Sequence, residues 1–397
     1  MTTSRRDLIA AGAAFALPGK ALTAWPFRRQ KPAKGCRGRA AYGGGPLRPQ
    51  IAPADFDAAA AAGAGRATPL ASDDLDARLE KAARTRQCQG FTAAIARSDR
   101  VLWTETGALS GPSPSPVGFE WPGLGEVCLA TAILQLVEEN RLALDATIER
   151  WAPEVPTARW LTIEDLLGHT SGLSDPVQGQ AAPLAAFCPG AGWAPTGADY
   201  RLLGRILEAV DARPLGDALT HRIVERLDLK ETAFPSDPSS VTASSADVVR
   251  LWRALLGGGL HSAELVRRRF LRLYPMTAEP ARTHWGLGVM VSDLAADGSN
   301  PADVWLGVAR SRPGASAAVA YSVRKRAFVA VALTGVGSAE EVADLLLLGV
   351  QADPVHVDLT APAPPAVRRT RRRRPKPKAA AKPAPAPAAP LSPARRP

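Results

Sequence analysis

The sequence is poor in the residues that bind metals or cross-link small folds. Its four cysteines (Cys36, Cys88, Cys128, Cys188) show no CxxC spacing, and its five histidines are too dispersed for a sequence-local metal site, so neither a metal nor another cofactor is implied. In an oxidising compartment the cysteines can form up to two disulfides, with three connectivities open if all four pair; Cys128 lies in an apolar run and is expected as a buried free thiol. Long hydrophobic runs are also missing. The ten residues Leu8 to Leu17 are too short to cross a bilayer, and no other segment qualifies, so no transmembrane segment is expected in the mature chain.

Acidic residues are absent from one end. Residues 361 to 397 hold eleven Arg and Lys and no Asp or Glu, and residues 1 to 40 hold nine bases and one acid. The whole chain is +11, which leaves −8 for residues 41 to 360: the part able to fold is acidic between basic ends. With 46% hydrophobic residues over 397 positions, a substantial core is available and disorder throughout is excluded.

Arg5-Arg6-Asp7-Leu8-Ile9, followed by an uncharged stretch and small residues near Ala24, reads as a twin-arginine-type signal peptide over residues 1 to 24. It predicts export to the periplasm or beyond. Residues 25 to 71 are dominated by Gly, Ala and Pro without an apolar period, as in a linker. A helix from Ser72 to about Arg86 then precedes strands at Phe91 to Ala96 and Val101 to Thr106. The run Val127 to Val137 is apolar on nearly every face, as in a buried central helix. More helices are expected at Ile163 to Leu167, Tyr200 to Val210, Leu215 to Leu227, Ala246 to Leu256 and Ser262 to Leu273. Strands come next at Trp285 to Ser292, Val304 to Ser311, Ala317 to Ser322 and Ala327 to Leu333, then a helix with a capping-box start at Ser338. Strands at both ends of a helical middle predict an α/β part (residues 72 to 122 and 285 to 352) and a helical part (123 to 284). Residues 353 to 397, rich in Pro, Ala, Lys and Arg, are expected to be a disordered basic tail.

Several segments resemble β-lactamase-related serine hydrolases, the group containing class C β-lactamases, esterases and DD-peptidases. They are Ala130 to Glu139 continuing through Leu142 to Asp145, Leu161 to Leu173, Tyr200 to Gly204, Ser245-Ala246-Asp247 with Trp252, and Trp285 to Gly288. The resemblance spans residues 72 to 352. It implies an α+β fold of the β-lactamase/transpeptidase type, an antiparallel sheet flanked by N- and C-terminal helices with an all-helical insert.

The chemistry that the resemblance implies needs a serine and, one helical turn later, a lysine that manages its proton. Counting back from Ala130, these positions hold Gly123 and Glu126. The Tyr-x-Asn positions hold Pro195 and Gly197, and the Lys/His-Thr-Gly positions hold Val308, Ala309 and Arg310. Nucleophile, base, phenol, amide and bare glycine are all replaced, so no catalytic residue of the family remains and a pseudoenzyme is expected. Glu126 and Arg310, with opposite charges on two cleft-facing positions, either pair across the former site or swing separately into solvent.

Other candidates have ordinary readings. Cys128 should point roughly 200° around the helix from Glu126, into the core. Ser113, Ser115 and Ser171 sit in turn-like Pro or Gly contexts, where a hydroxyl bonds local backbone. His169, in the His-Thr-Ser-Gly-Leu segment, is expected to tie a helix end to the next loop. The expected function is a cell-envelope binding or scaffold module. The alternatives are an active hydrolase using displaced residues, and a carrier for a basic tail that meets cell-wall or other envelope polyanions rather than nucleic acid.

Overall fold

The computed structural model describes residues 35–47, 72–97, 100–109, 115, 118–175, 183–235, 241–276, 283–293 and 304–351. The expected signal peptide (1–24), the basic tail (353–397), Ser113 and all of the expected linker other than 35–47 lie outside the described residues. The chain runs through α1 (Ser72–Thr85), β1 (Cys88–Ala96), β2 (Val101–Ala108), α2 (Leu124–Glu138), α3 (Ile163–Leu167), β3 (Leu173–Ser174), β4 (Leu184–Ala185), α4 (Gly197–Asp211) and α5 (Leu215–Leu219). It continues through a π-helical turn (Thr220–Val224), α6 (Glu225–Leu227), β5 (Thr232–Ala233), β6 (Thr242–Ala243), α7 (Ser245–Leu256), α8 (Ala263–Arg268), β7 (Tyr274–Pro275), β8 (Thr283–Trp285) and β9 (Met290–Asp293). Strands β10 (Val304–Arg312), β11 (Gly314–Ser322) and β12 (Ala327–Gly335) and helix α9 (Ala339–Gly349) complete the fold.

The main sheet has the order β2-β1-β12-β11-β10-β9-β8-β7, and its neighbours pair antiparallel. Strand β1 is zipped to β12, more than 200 residues later in the sequence, through Phe91↔Leu333 to Ala96↔Phe328. Both strands are buried at successive positions, so helices must cover both faces. Helix α9 packs on β11, β12 and α1, while α7 lies on β1 and β12. The alanines of β1, β11 and β12 let these helices approach closely.

Helix α2 is buried without a break from Val127 to Leu136, as expected for a helix enclosed by others. The fully buried Trp252 and Trp285 each keep a partner for the indole N–H: Trp252 donates to the Leu306 carbonyl at 2.9 Å and Trp285 to that of Leu167 at 3.0 Å. The second bond satisfies a carbonyl left open at the end of α3, which Tyr200 Oη also reaches at 3.3 Å.

The structure differs from the sequence pattern in several elements, and the part expected to be all-helical also carries the two-stranded ladders β3-β4 and β5-β6. The expected strand from Trp285 to Ser292 is two strands, with Trp285 opposite Met290, because Gly286 and Gly288 permit a reversal; Gly288 is left-handed at φ +70°. Strands β7 and β8 bring residues 274–275 and 283–285 into the sheet, so the boundary expected at 284 falls earlier; these strands are too short to show a period of their own. The helix expected over Leu215 to Leu227 contains the π turn, whose Arg222 is drawn inward to Glu139 and Asp211. The helix expected over Ser262 to Leu273 ends at Arg268.

Residues 35–47, inside the stretch read as a linker, are held against the domain. Cys36 is disulfide-bonded to Cys188, and Ala40 and Gly43 donate backbone N–H groups to Pro189 and Ala191, both at 2.9 Å. Arg39 pairs with the buried Asp165 at 2.5 Å. Gly190, at φ +82°, permits this approach: a Cβ there would stand 2.5 Å from the Ala40 carbonyl oxygen. The anchors are a covalent bond, a charge and backbone groups, none of which has a hydrophobic period. Cys88 and Cys128 are free and buried.

Candidate functional site

Helix α2 begins at Gly123, a left-handed N-cap (φ +85°) with no side-chain cap, reached through the reversal after Trp121. Opposite it runs β10, whose period of two puts Val308 and Arg310 on one face and Ala309 on the other. A Cβ built on Gly123 would lie 2.6 Å from Arg310 Cγ, 3.1 Å from Val308 Cγ2 and 3.3 Å from Arg310 Cβ. The space into which a nucleophile would project is filled by the stem of Arg310.

The head of Arg310 is fixed too. Its guanidinium donates to Glu126 Oε2 at 2.9 Å, and its Cζ lies 5.6 Å from the centroid of the Trp285 ring. Each side chain of the pair is 28% exposed, so the bond itself contributes under about 1 kcal/mol; what it decides is where the long side chain lies. Of the two arrangements open in the sequence, the structure has the pair.

Gly197 and Pro195 have surroundings of their own. Gly197 opens α4, after the N-cap Thr196, and its N–H donates to Asp175 at 3.4 Å. A side chain on Gly197 would meet Arg201 Nη1 at 2.8 Å and Asp175 Oδ1 at 3.3 Å, and these two groups are joined at 2.6 Å. Pro195 is exposed. Among the described residues, no hydrogen bond or ion pair joins Pro195 or Gly197 to Glu126 or Arg310. The structure thus brings Gly123, Glu126, Val308 and Arg310 together, turns Ala309 away, and covers Gly197 with a second ion pair. Asp175 and Arg201 carry no local sequence signal, being 26 residues apart.

Behind Trp285 lies a buried polar cluster. His169, left-handed at φ +55°, comes after the Gly168 C-cap of α3, and its Nδ1 is 2.8 Å from Asp199 Oδ2, with the two side chains 1% and 0% exposed. Burial holds His169 down to about 4, the nearby Glu126 and Arg310 charges acting in opposite directions. Burial also pushes the Asp199 carboxyl well above its usual range. In both groups burial acts against the charged form and so opposes an ion pair here. The His169 ring packs 5.2 Å from both Tyr200 and Trp285. Ser171, fully buried, lies beside Asp199 and accepts from the Leu173 N–H at 3.0 Å, a local turn bond. A histidine, a carboxyl group and a hydroxyl are therefore neighbours, but none reaches the surface. Their placement ties the end of α3 to the start of α4, where the sequence led us to expect a tie to the next loop.

Cys128 is fully buried on the core side of α2, and burial pushes its thiol up to about 12, so it is no nucleophile at neutral pH.

The sequence profile described as Beta-lactamase matches residues 75–353, most of the chain. The esterase EstB of Burkholderia gladioli is 28% identical over 206 residues, which cover 41% of this chain and 51% of the esterase; the chain thus matches about half of that relative's length. Among solved structures, a D-stereospecific amidohydrolase from Streptomyces sp. superimposes with a TM-score of 0.58 at 21% identity, over 68% of this chain and 97% of its own. A penicillin binding protein from Bacillus halodurans gives a TM-score of 0.57 at 18% identity, over 66% and 97%. At such identities these likenesses concern the fold.

Proposed function

The chain belongs to the β-lactamase family, and we propose that within it this protein is a non-catalytic, exported member serving as a binding or scaffold module of the cell envelope. One observation carries the reading. Acyl transfer needs a nucleophile next to a base, with room for the substrate carbonyl between them. Here the nucleophile's position has no side chain, the base's position holds a carboxylate, and the stem of Arg310 lies against Gly123. The Cys36–Cys188 disulfide supports export, because such bonds persist in oxidising compartments.

Labelling of the purified protein with a fluorophosphonate and with a fluorescent penicillin tests the proposal. The expected result is no covalent adduct with either. An adduct that is lost on substitution of one serine or cysteine overturns it, and establishes the second reading, a hydrolase with displaced residues, which the similarity to an esterase favours. On a third reading the eleven-base segment 361–397 is the functional part; deleting it should then abolish polyanion binding while leaving the domain folded.

A further inference from the structure

A cavity of about 570 Å³ opens in the helical region, lined by residues distinct from those of the degenerate cleft. Its walls are the end of α2 with Arg141, the end of α4 with Arg213, and the π turn leading into α6. Its acids are already engaged. Arg222, 8% exposed, donates to Glu139 at 2.8 and 3.1 Å and to Asp211 at 2.7 Å, and Arg141 reaches the same two carboxylates at 3.1 and 2.9 Å. Glu225 is taken by His221 at 2.8 Å. Two cations remain, Arg213 and Arg226, exposed on the walls and without an ion-pair partner among the described residues.

A further cation is linked to this wall through buried contacts. Gln135, on the cavity wall, contacts the Leu260 carbonyl next to His261, and Nε2 of His261 is 3.1 Å from the guanidinium of Arg269. Arg269 is fully buried. Its other partner is the Thr131 hydroxyl at 2.6 Å, no carboxylate among the described residues meets it, and its Nε and Nη1 have no hydrogen-bond partner. The lining thus holds four arginines against three carboxylates, a net +1, within residues 41 to 360, which carry −8 overall. The π turn builds the wall: its extra residue rotates the helical residues after it by about 100° around the helix axis, and such turns are frequent at functional sites.

We propose that this cavity binds a phosphate monoester group, held between Arg213 and Arg226, with room in the cavity for the small organic group that carries it. Two guanidinium forks suit the three terminal oxygens of a dianionic phosphate better than the two of a carboxylate. The cavity volume lies within the range of small-molecule sites.

Calorimetric titration of the full chain with inorganic phosphate, glucose 6-phosphate and succinate tests this, beside Arg213→Ala/Arg226→Ala and Arg213→Lys/Arg226→Lys variants. The basic segment 361–397 is common to all three proteins, so differences among them report the cavity. Both positions are exposed, so melting temperatures should match the parent. The expected result is saturable binding of glucose 6-phosphate, tighter than succinate, weakened at least tenfold in the alanine variant and less in the lysine variant. Tighter binding of inorganic phosphate than of glucose 6-phosphate would assign the site to the free ion and overturn the monoester assignment. Equal affinity in the parent and the alanine variant, or preference for succinate, overturns the proposal.

Discussion

Placing a serine at position 123 is the most direct test of whether the space beside Gly123 is filled as the structure shows. Gly123 is left-handed, and a side chain there costs about 1–2 kcal/mol on conformation alone. The new Cβ would also stand 2.6 Å from Arg310 Cγ, which can move aside only by giving up its contacts to Glu126 and Trp285. Overpacking of this kind costs about 1–3 kcal/mol. Gly123→Ser should therefore lose about 2–5 kcal/mol, and at roughly 2–4 °C per kcal/mol for a domain of this size the melting temperature falls by several degrees to well over ten. The structure also dictates a coupling. In an Arg310→Ala background Cγ is gone and the contacts left are Arg310 Cβ at 3.3 Å and Val308 Cγ2 at 3.1 Å, so the penalty of the serine should shrink by about 1–2 kcal/mol. Thermal melts of the parent, the two single variants and the double variant measure this. A Gly123→Ser protein as stable as the parent, or an equal loss in both backgrounds, would refute the geometry on which the reading rests. Gly123→Ser combined with Glu126→Lys should still show no hydrolysis of a chromogenic cephalosporin, since Arg310 and Pro195 remain.

The buried groups carry further expectations. His261 is held down to about 2 by burial and by the charges of Arg269 and Arg226, whereas in the unfolded chain it takes a proton near 6.5. Below pH 6.5 the unfolded state binds more protons, so stability declines on acidification by up to about 1.4 kcal/mol per pH unit for this group; His261→Gln should flatten the dependence of melting temperature on pH in that range, and an unchanged slope would contradict the assignment. Cys36→Ser should lower stability by about 2–4 kcal/mol and release the 35–47 segment, read by hydrogen exchange at Ala40 and Gly43; protection as in the parent would refute the anchoring role. A thiol reagent should find no reactive cysteine in the native protein and two, Cys88 and Cys128, after unfolding. Removal of residues 361–397 should abolish retention on heparin at low salt, and retention that persists would place the polyanion contact elsewhere.

By itself the sequence determined the fold class, because that is written locally, and it supplied the expectation, proposed above, that the family's catalytic positions are replaced. Helix α2 announces itself by an apolar run on nearly every face, α9 by a capping-box start at Ser338, and β11 and β12 by apolar strands. Counting back along one helix from Ala130 was enough to find Gly123 and Glu126. Boundaries were less legible where the structure departs from a simple period: the glycine reversal after Trp285, the π turn at Thr220–Val224, and the short strands β7 and β8. Tertiary structure alone decided what the substitutions do together. That Arg310 lies against Gly123, pairs with Glu126 and sits over Trp285 depends on the register of β10 beside the start of α2, and these residues are 184 apart at the ion pair. The docking of Cys36, Arg39 and Ala40 was hidden for the same reason, since a disulfide, a salt bridge and backbone hydrogen bonds leave no periodic trace in a Gly- and Ala-rich stretch. Short-range propensity and hydrophobic period are properties of neighbouring residues, whereas the contacts beside Gly123 arise only when the sheet brings segments far apart in the sequence together.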